Sequence, residues 1–192
     1  ADDVTIERTG DNLVIRYSDT DSITIKDAYY YYNSDGRVFV EKIEFTDGTV
    51  LNKEDINKLA HERYGTSGID TMSGFGTESG YDNSEIFHGL EGNDTIYGND
   101  GTDTLYGDEG NDNLYGGNGT DTLVGGVGTD YLSGDAGNDT YIFNLGDGPD
   151  TIYDYENSLT SGREDKIVFG EGIKADDVTI ERTGDNLVIR YS

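Results

Sequence analysis

Six aspartates stand nine residues apart, at Asp94, Asp103, Asp112, Asp121, Asp130 and Asp139. Carboxylates at a fixed spacing can ligate a cation or form an acid–base pair, and the residues between them decide which. Those residues form a nine-residue phrase that runs six times without a gap over 89–142: GLEGNDTIY, GNDGTDTLY, GDEGNDNLY, GGNGTDTLV, GGVGTDYLS and GDAGNDTYI. Glycine holds positions 1 and 4, aspartate position 6 and an apolar residue position 8.

Each phrase divides into a tight polar turn, which the glycines permit, and a short strand at positions 7 to 9. The middle strand residue points inward, so Ile96, Leu105, Leu114, Leu123, Leu132 and Tyr141 should share one core while positions 7 and 9 face water. If two phrases close one coil, residues eighteen apart stack. Asp94, Asp112 and Asp130 then form one ladder, and Asp103, Asp121 and Asp139 another. Strands in a sheet lie about 4.8 Å apart, so like charges would crowd along each ladder and repel without a counter-ion. A hard cation that seeks oxygen resolves this, and Ca²⁺ suits a mixture of carboxylates and carbonyls in flexible geometry.

The stretch resembles the RTX calcium-binding nonapeptide family, with its pattern GGxGxDxUx and its parallel β-roll. The resemblance implies that the position-6 aspartates ligate Ca²⁺ together with carbonyls from positions 2 and 4. Those carbonyls belong to Leu90 and Gly92, Asn99 and Gly101, Asp108 and Gly110, Gly117 and Gly119, Gly126 and Gly128, and Asp135 and Gly137. Same-side pairs alone then give four sites, in which Asp112 and Asp121 each serve twice. Upstream, GTSGIDTMS at 65–73 fits the phrase, but residues 74–88 break the register, which argues against a metal role for Asp70 or Glu85. Downstream, 143–155 keeps glycine and acid but loses the spacing. It reads as a closing cap in which Asp147 or Asp150 completes a terminal site, with Asp154 a further carboxylate and Pro149 suited to a sheet edge.

The elements that must position this roll lie on both sides of it. Residues 1–64 alternate apolar and polar residues in short strands (VTIER, NLVIRY, SITIK, VFVEKIEF, TVL), with turns at Thr9-Gly10-Asp11 and Ser34-Asp35-Gly36. Asn52 is placed to cap a helix over about 53–64, whose Ile56, Leu59, Ala60 and Tyr64 would cover the first coil of the roll. This order of strands, DGTVL turn and helix resembles the haemolysin-type calcium-binding related region found beside RTX repeats, which implies a structural spacer. The expected fold is all-β, a calcium-bound parallel roll over 65–155 (divergent start 65–88, cap 143–155) flanked by a small antiparallel β-rich cap with one short helix.

A second repeat is exact. ADDVTIERTGDNLVIRYS occurs at 1–18 and again at 175–192, so 156–192 should begin another unit of a tandem array. The second copy is without the continuation that residues 19–64 give the first, and is expected to be less well packed.

The formal charge of −27 and only 33% hydrophobic residues leave the metal-free chain self-repelling, so order should depend on metal. With no cysteine, metal takes over the stapling role of disulfides. Neither an N-terminal signal peptide nor a transmembrane run is expected from these residues; the family resemblance implies type I secretion through a far C-terminal signal, and a secreted or cell-surface place. The acidic surface argues against nucleic acid and direct membrane insertion. Partners are expected among neighbouring units of the array and extracellular glycans or proteins.

No catalytic residue is assigned. His61 and His88 sit in no recognisable motif, and the regular spacing of the carboxylates is explained by metal ligation rather than by a glycosidase pair. Fifteen tyrosines, among them the run Tyr29 to Tyr32 and the outward Tyr97, Tyr106 and Tyr115, raise the alternative of a glycan-binding accessory module of a polysaccharide-active enzyme. Tyrosine also simply favours half-buried strands, which is the preferred reading.

Overall fold

The computed structural model describes residues 5–9, 12–16, 22–25, 42–52, 55–56, 61–74, 84–153, 164–184 and 186–191. The Tyr29 to Tyr32 run, the Ser34-Asp35-Gly36 turn and Asp154 lie outside them.

The N-terminal strands form as their alternation requires. β1 (Thr5–Thr9), β2 (Asn12–Arg16) and β3 (Ser22–Ile25) make an antiparallel sheet, and β4 (Lys42–Glu44) pairs with β5 (Val50–Asn52). Ile6, Leu13, Ile15 and Ile56 are buried together, with Ile25, Ile43 and Leu51 packed against them. Ile56 therefore belongs to the core of this cap, not to a lid over the roll. Asn52 makes the expected cap onto Asp55, the first described helical residue: its side chain accepts from the Asp55 N–H (3.2 Å), and the Asp55 carboxylate accepts from the Asn52 N–H (3.0 Å), a reciprocal capping box. The helix was expected to reach about Tyr64, but Glu62 already lies in a strand. Pairing of Glu62–Tyr64 with the roll supplies hydrogen bonds between strands that a last helical turn would forgo.

That strand, β6 (Glu62–Tyr64), opens a six-stranded parallel sheet that continues through β8 (Ile86–His88), β10 (Thr104–Gly110), β12 (Thr122–Gly128), β14 (Thr140–Phe143) and β16 (Lys166–Phe169). Facing it is a five-stranded parallel sheet of β7 (Thr71–Ser73), β9 (Thr95–Gly101), β11 (Asn113–Gly119), β13 (Tyr131–Gly137) and β15 (Thr151–Ile152). Alternate strands go to alternate sheets, so the two-phrase coil holds: Leu105 pairs with Leu123, and Leu114 with Leu132. The roll thus spans Glu62 to Phe169, beyond the 65–155 read from the phrases. Its strands are also longer than positions 7 to 9, because pairing resumes across positions 2 to 4, as in Gly117 opposite Asn99.

Between the sheets Phe87, Ile96, Leu105, Leu114, Leu123, Leu132, Tyr141 and Phe143 form one buried file. Each such side chain contributes roughly 1.5–3 kcal/mol by leaving water. The chain ends in a two-stranded hairpin, β17 (Thr179–Thr183) and β18 (Asn186–Arg190), preceded by a 3-10 turn over Ala175–Asp177.

Candidate metal centre

The aspartates occupy the turns that join the two sheets, and the roll orients them through its own backbone. In the first ladder, the N–H of Asp94 donates to Oδ1 of Asp112 (2.7 Å), and that of Asp112 to Oδ1 of Asp130 (2.8 Å). In the second, Asp103 donates to Asp121 (2.8 Å) and Asp121 to Asp139 (2.9 Å). Each backbone carbonyl at these positions meanwhile accepts from the strand residue one coil on, as in Asn113 N–H to Asp94 (2.8 Å). Backbone on both sides therefore fixes where each carboxylate points.

The ladders run further than the phrases suggest. Asp70 donates to Asp94 (2.8 Å), Glu85 to Asp103 (2.7 Å), Asp130 to Asp150 (3.0 Å) and Asp139 to Asp165 (2.9 Å). Asp70 and Glu85, set aside on register, are thus rungs, because the turns that carry them keep their place in the coil although the sequence between them breaks the period. Asp70 differs from the others: its Oδ2 is taken by the N–H (2.6 Å) and hydroxyl (2.8 Å) of Thr66. Of the two terminal candidates, Asp150 joins the ladder. Asp147 does not, since its Oδ2 accepts from the Asn144 N–H (2.6 Å) and its carbonyl from the Gly128 N–H (2.6 Å). Asp165 carries no phrase signal, so the nonapeptide spacing does not find it. A further ladder is equally hidden from the spacing: at position 5, Asn93 accepts from the Asn111 N–H and Asn111 from the Thr129 N–H, each at 2.8 Å.

With Oδ1 committed, Oδ2 is the oxygen left over in several of these aspartates. In Asp94, Asp112, Asp121, Asp130 and Asp150 this atom is buried without a hydrogen-bond partner. Such an atom is costly to leave so. Burial pushes the carboxyl of Asp112 and that of Asp121 up to about 6, and that of Asp130 up to about 7; Asp94 and Asp150 are raised too. Repulsion within each ladder adds to this but ranks behind desolvation, and the backbone N–H opposes both. Like-charge repulsion, the cause expected from the spacing, is therefore the smaller of the two.

The glycines keep the space around these oxygens open. A Cβ on Gly89 would meet Asp94 Oδ2 at 2.6 Å, and one on Gly98 would meet Asp103 Oδ2 at 2.6 Å, each also pressing on the carbonyl of the position-1 glycine one coil on. At position 4, a Cβ on Gly110, Gly119, Gly128 or Gly137 would overlap the carbonyl of Gly92, Gly101, Gly110 or Gly119 below it. Position 2 adopts left-handed backbone at Leu90, Asn99, Asp108, Gly117, Gly126 and Asp135. The Leu90 carbonyl already accepts from Glu109 N–H (2.8 Å). Among the described residues no three acidic or histidine side chains converge on one point. A cation here would draw on carbonyl oxygens beside at most two carboxylates, an all-oxygen set that fits Ca²⁺.

On the outer faces, Tyr97 and Tyr115 stack at 5.0 Å, and the row continues through Tyr131 to Tyr153. On the other sheet His88 lies between Tyr64 (4.9 Å) and Tyr106 (4.7 Å), with Glu62 and Asp108 at 3.8 and 3.6 Å from its ring nitrogens. His88 is thus held as a rung of an aromatic ladder.

Fold and site together define a parallel β-roll whose turns carry stacked carboxylates. Comparison with known proteins agrees. Residues 79–114, 106–141 and 115–152 match the RTX calcium-binding nonapeptide repeat, and residues 12–55 match the haemolysin-type calcium binding protein related domain. Residues 79–152 thus carry RTX calcium-binding nonapeptide repeats. Over 51 residues it is 45% identical to the iron-regulated protein FrpA of Neisseria meningitidis serogroup C. That match takes in 27% of this chain and only 4% of FrpA.

Proposed function

We propose that the chain is a calcium-folded structural or adhesive module of a large RTX protein, secreted by a type I route and acting outside the cell as a stiff spacer. The observation that carries this reading is the row of buried, unpartnered Oδ2 atoms at Asp94, Asp112, Asp121, Asp130 and Asp150. Bound Ca²⁺ supplies the positive charge that these buried oxygens lack. The residues that would hold it are the ladder aspartates with the position-2 and position-4 carbonyls. Four ions follow from the pairs Asp94 with Asp112, Asp112 with Asp130, Asp103 with Asp121, and Asp121 with Asp139. Asp150 supports a further site beyond Asp130. Because each carboxylate is oriented by the neighbouring coil, binding at one turn favours order in the next. Partners on this reading are neighbouring units of the array and an extracellular glycan or protein. No described helix is long and apolar enough to cross a membrane.

The glycan-module alternative is weakened by the tyrosine geometry. Tyr97 and Tyr115 are nearly parallel, with 10° between their planes, so each covers a ring face that a sugar would need. The test is calorimetric titration of the EDTA-stripped chain with Ca²⁺, followed in parallel by far-UV circular dichroism, with Mg²⁺ as control. A cooperative gain of β structure with Ca²⁺ alone, at four or more ions per chain, is expected. A stripped chain that is already folded and takes up no Ca²⁺ would overturn the reading.

A further inference from the structure

The described strands of the two copies of ADDVTIERTGDNLVIRYS pair alike but are covered differently. β1 and β2 pair with Thr5 opposite Arg16 and Ile6 opposite Ile15; β17 and β18 pair with Thr179 opposite Arg190 and Ile180 opposite Ile189. In the first copy Ile6 is 6% and Leu13 0% exposed, while their counterparts Ile180 and Leu187 are 65% and 70% exposed. The difference lies in what packs on them. β2 has β3 on its free edge, with Leu13 opposite Ile25 and Ile15 opposite Ile23, and Ile43, Leu51 and Ile56 complete that core. Among the described residues, β18 pairs with β17 alone. Beyond its far end Tyr191 packs on Phe169 at 5.1 Å and Phe143 at 6.4 Å, the last aromatic residues of the roll core.

We propose that the exposed face and edge of β17–β18 form the docking surface for the next unit of the array, taking a segment with the sequence of residues 19–56. The same hairpin sequence at the N-terminal end already pairs with Ser22–Ile25 and packs with Ile43, Leu51 and Ile56, in a register that carries over residue for residue. Ile25 of the incoming segment would lie opposite Leu187, and Ile23 opposite Ile189. One hairpin is then shared: Tyr191 ties it to the end of one roll, and its Ile180, Leu187 and Ile189 enter the core of the next cap. Two rolls are joined by a common sheet instead of a free linker, which would make the array stiff. The proposal rests on the chain being one unit of a tandem array.

The test compares the present chain with one extended after Ser192 by a second copy of residues 19–64, both in Ca²⁺, by hydrogen exchange of amides 179–190. Exchange at β18 should slow about tenfold or more on extension, and Leu187→Asp should abolish that protection in the extended chain while the calcium-induced circular dichroism of the roll is unchanged. Equal exchange with and without the added segment would overturn the proposal, as would protection that survives Leu187→Asp. A roll that fails to respond to Ca²⁺ would count against the metal reading alone, because protection of 179–190 is scored separately.

Discussion

Leu90 shows how demanding the turn is at single residues. Its φ is 74°, a left-handed conformation that costs an ordinary L-residue about 1–2 kcal/mol and that Asn and Asp tolerate better. The five equivalent positions hold Asn99, Asp108, Gly117, Gly126 and Asp135, each suited to it. Leu90 is also 38% exposed and stands outside the buried file of the roll, so its side chain adds little core. Leu90→Gly should therefore raise stability by about 1 kcal/mol, measured by denaturant unfolding of the calcium-loaded chain; a loss would mean the leucine makes a contact that outweighs its strain. The aspartates allow a sharper comparison. From the phrases alone Asp112 and Asp121 serve twice while Asp94 and Asp139 are terminal. The hydrogen bonds from Asp70 to Asp94 and from Asp139 to Asp165 place both inside their ladders. Single Asp→Asn changes at Asp94, Asp112 and Asp130 should consequently lower calcium affinity by similar factors, about tenfold or more each, by calorimetry. A much milder effect at Asp94 would restore the shorter ladder.

At the scale of elements, the turns respond to protons as well as to metal. Asp112, Asp121 and Asp130 have folded-state values raised to about 6, 6 and 7, above the ordinary range of the unfolded chain. The metal-free roll thus binds more protons than the unfolded chain between about pH 4 and pH 7, so its stability falls as pH rises through that window. The EDTA-stripped chain should gain β structure by circular dichroism on acidification from about pH 8 to about pH 5. Calcium affinity should move the other way, since ligation needs the ionised carboxylates. Loss of structure on acidifying the stripped chain would contradict the burial argument. The central coils were legible in the sequence because glycine, aspartate and an apolar residue each mark the same period. The ends were not, because their rungs are separated by 24, 20 and 26 residues instead of 18, and one of them is Glu85 in place of aspartate. Coil pairing tolerates loops of any length outside the turn, whereas a fixed phrase does not. The helix end failed for a related reason: local periodicity around Ile56 to Tyr64 could not register that β8 offered Glu62–Tyr64 a parallel partner.

For the whole molecule the question is which electrostatic cost the metal relieves. Forty acidic residues against thirteen basic ones create long-range repulsion over the surface, while the ladder carboxylates carry a local cost of burial. Salt separates the two. Surface repulsion is screened as the Debye length falls from about 10 Å at about 0.1 M to about 3 Å at about 1 M, but buried groups are screened far less. If burial dominates, as the order of causes at Asp112, Asp121 and Asp130 indicates, NaCl alone should compact the stripped chain without ordering it. Small-angle scattering in about 1 M NaCl should then show a smaller radius of gyration with no gain in the far-UV β signal, whereas millimolar Ca²⁺ at low salt should give both. Recovery of the β signal in NaCl alone would mean that diffuse surface charge governs folding and that the aspartate turns need only weak neutralisation. The file from Phe87 to Phe143 is closely packed but narrow, with two sheets around a single row of side chains. So thin a core gives little excess stability to set against buried carboxylates, which is why the balance of this fold should turn on the oxygen-lined turns instead of on its apolar interior.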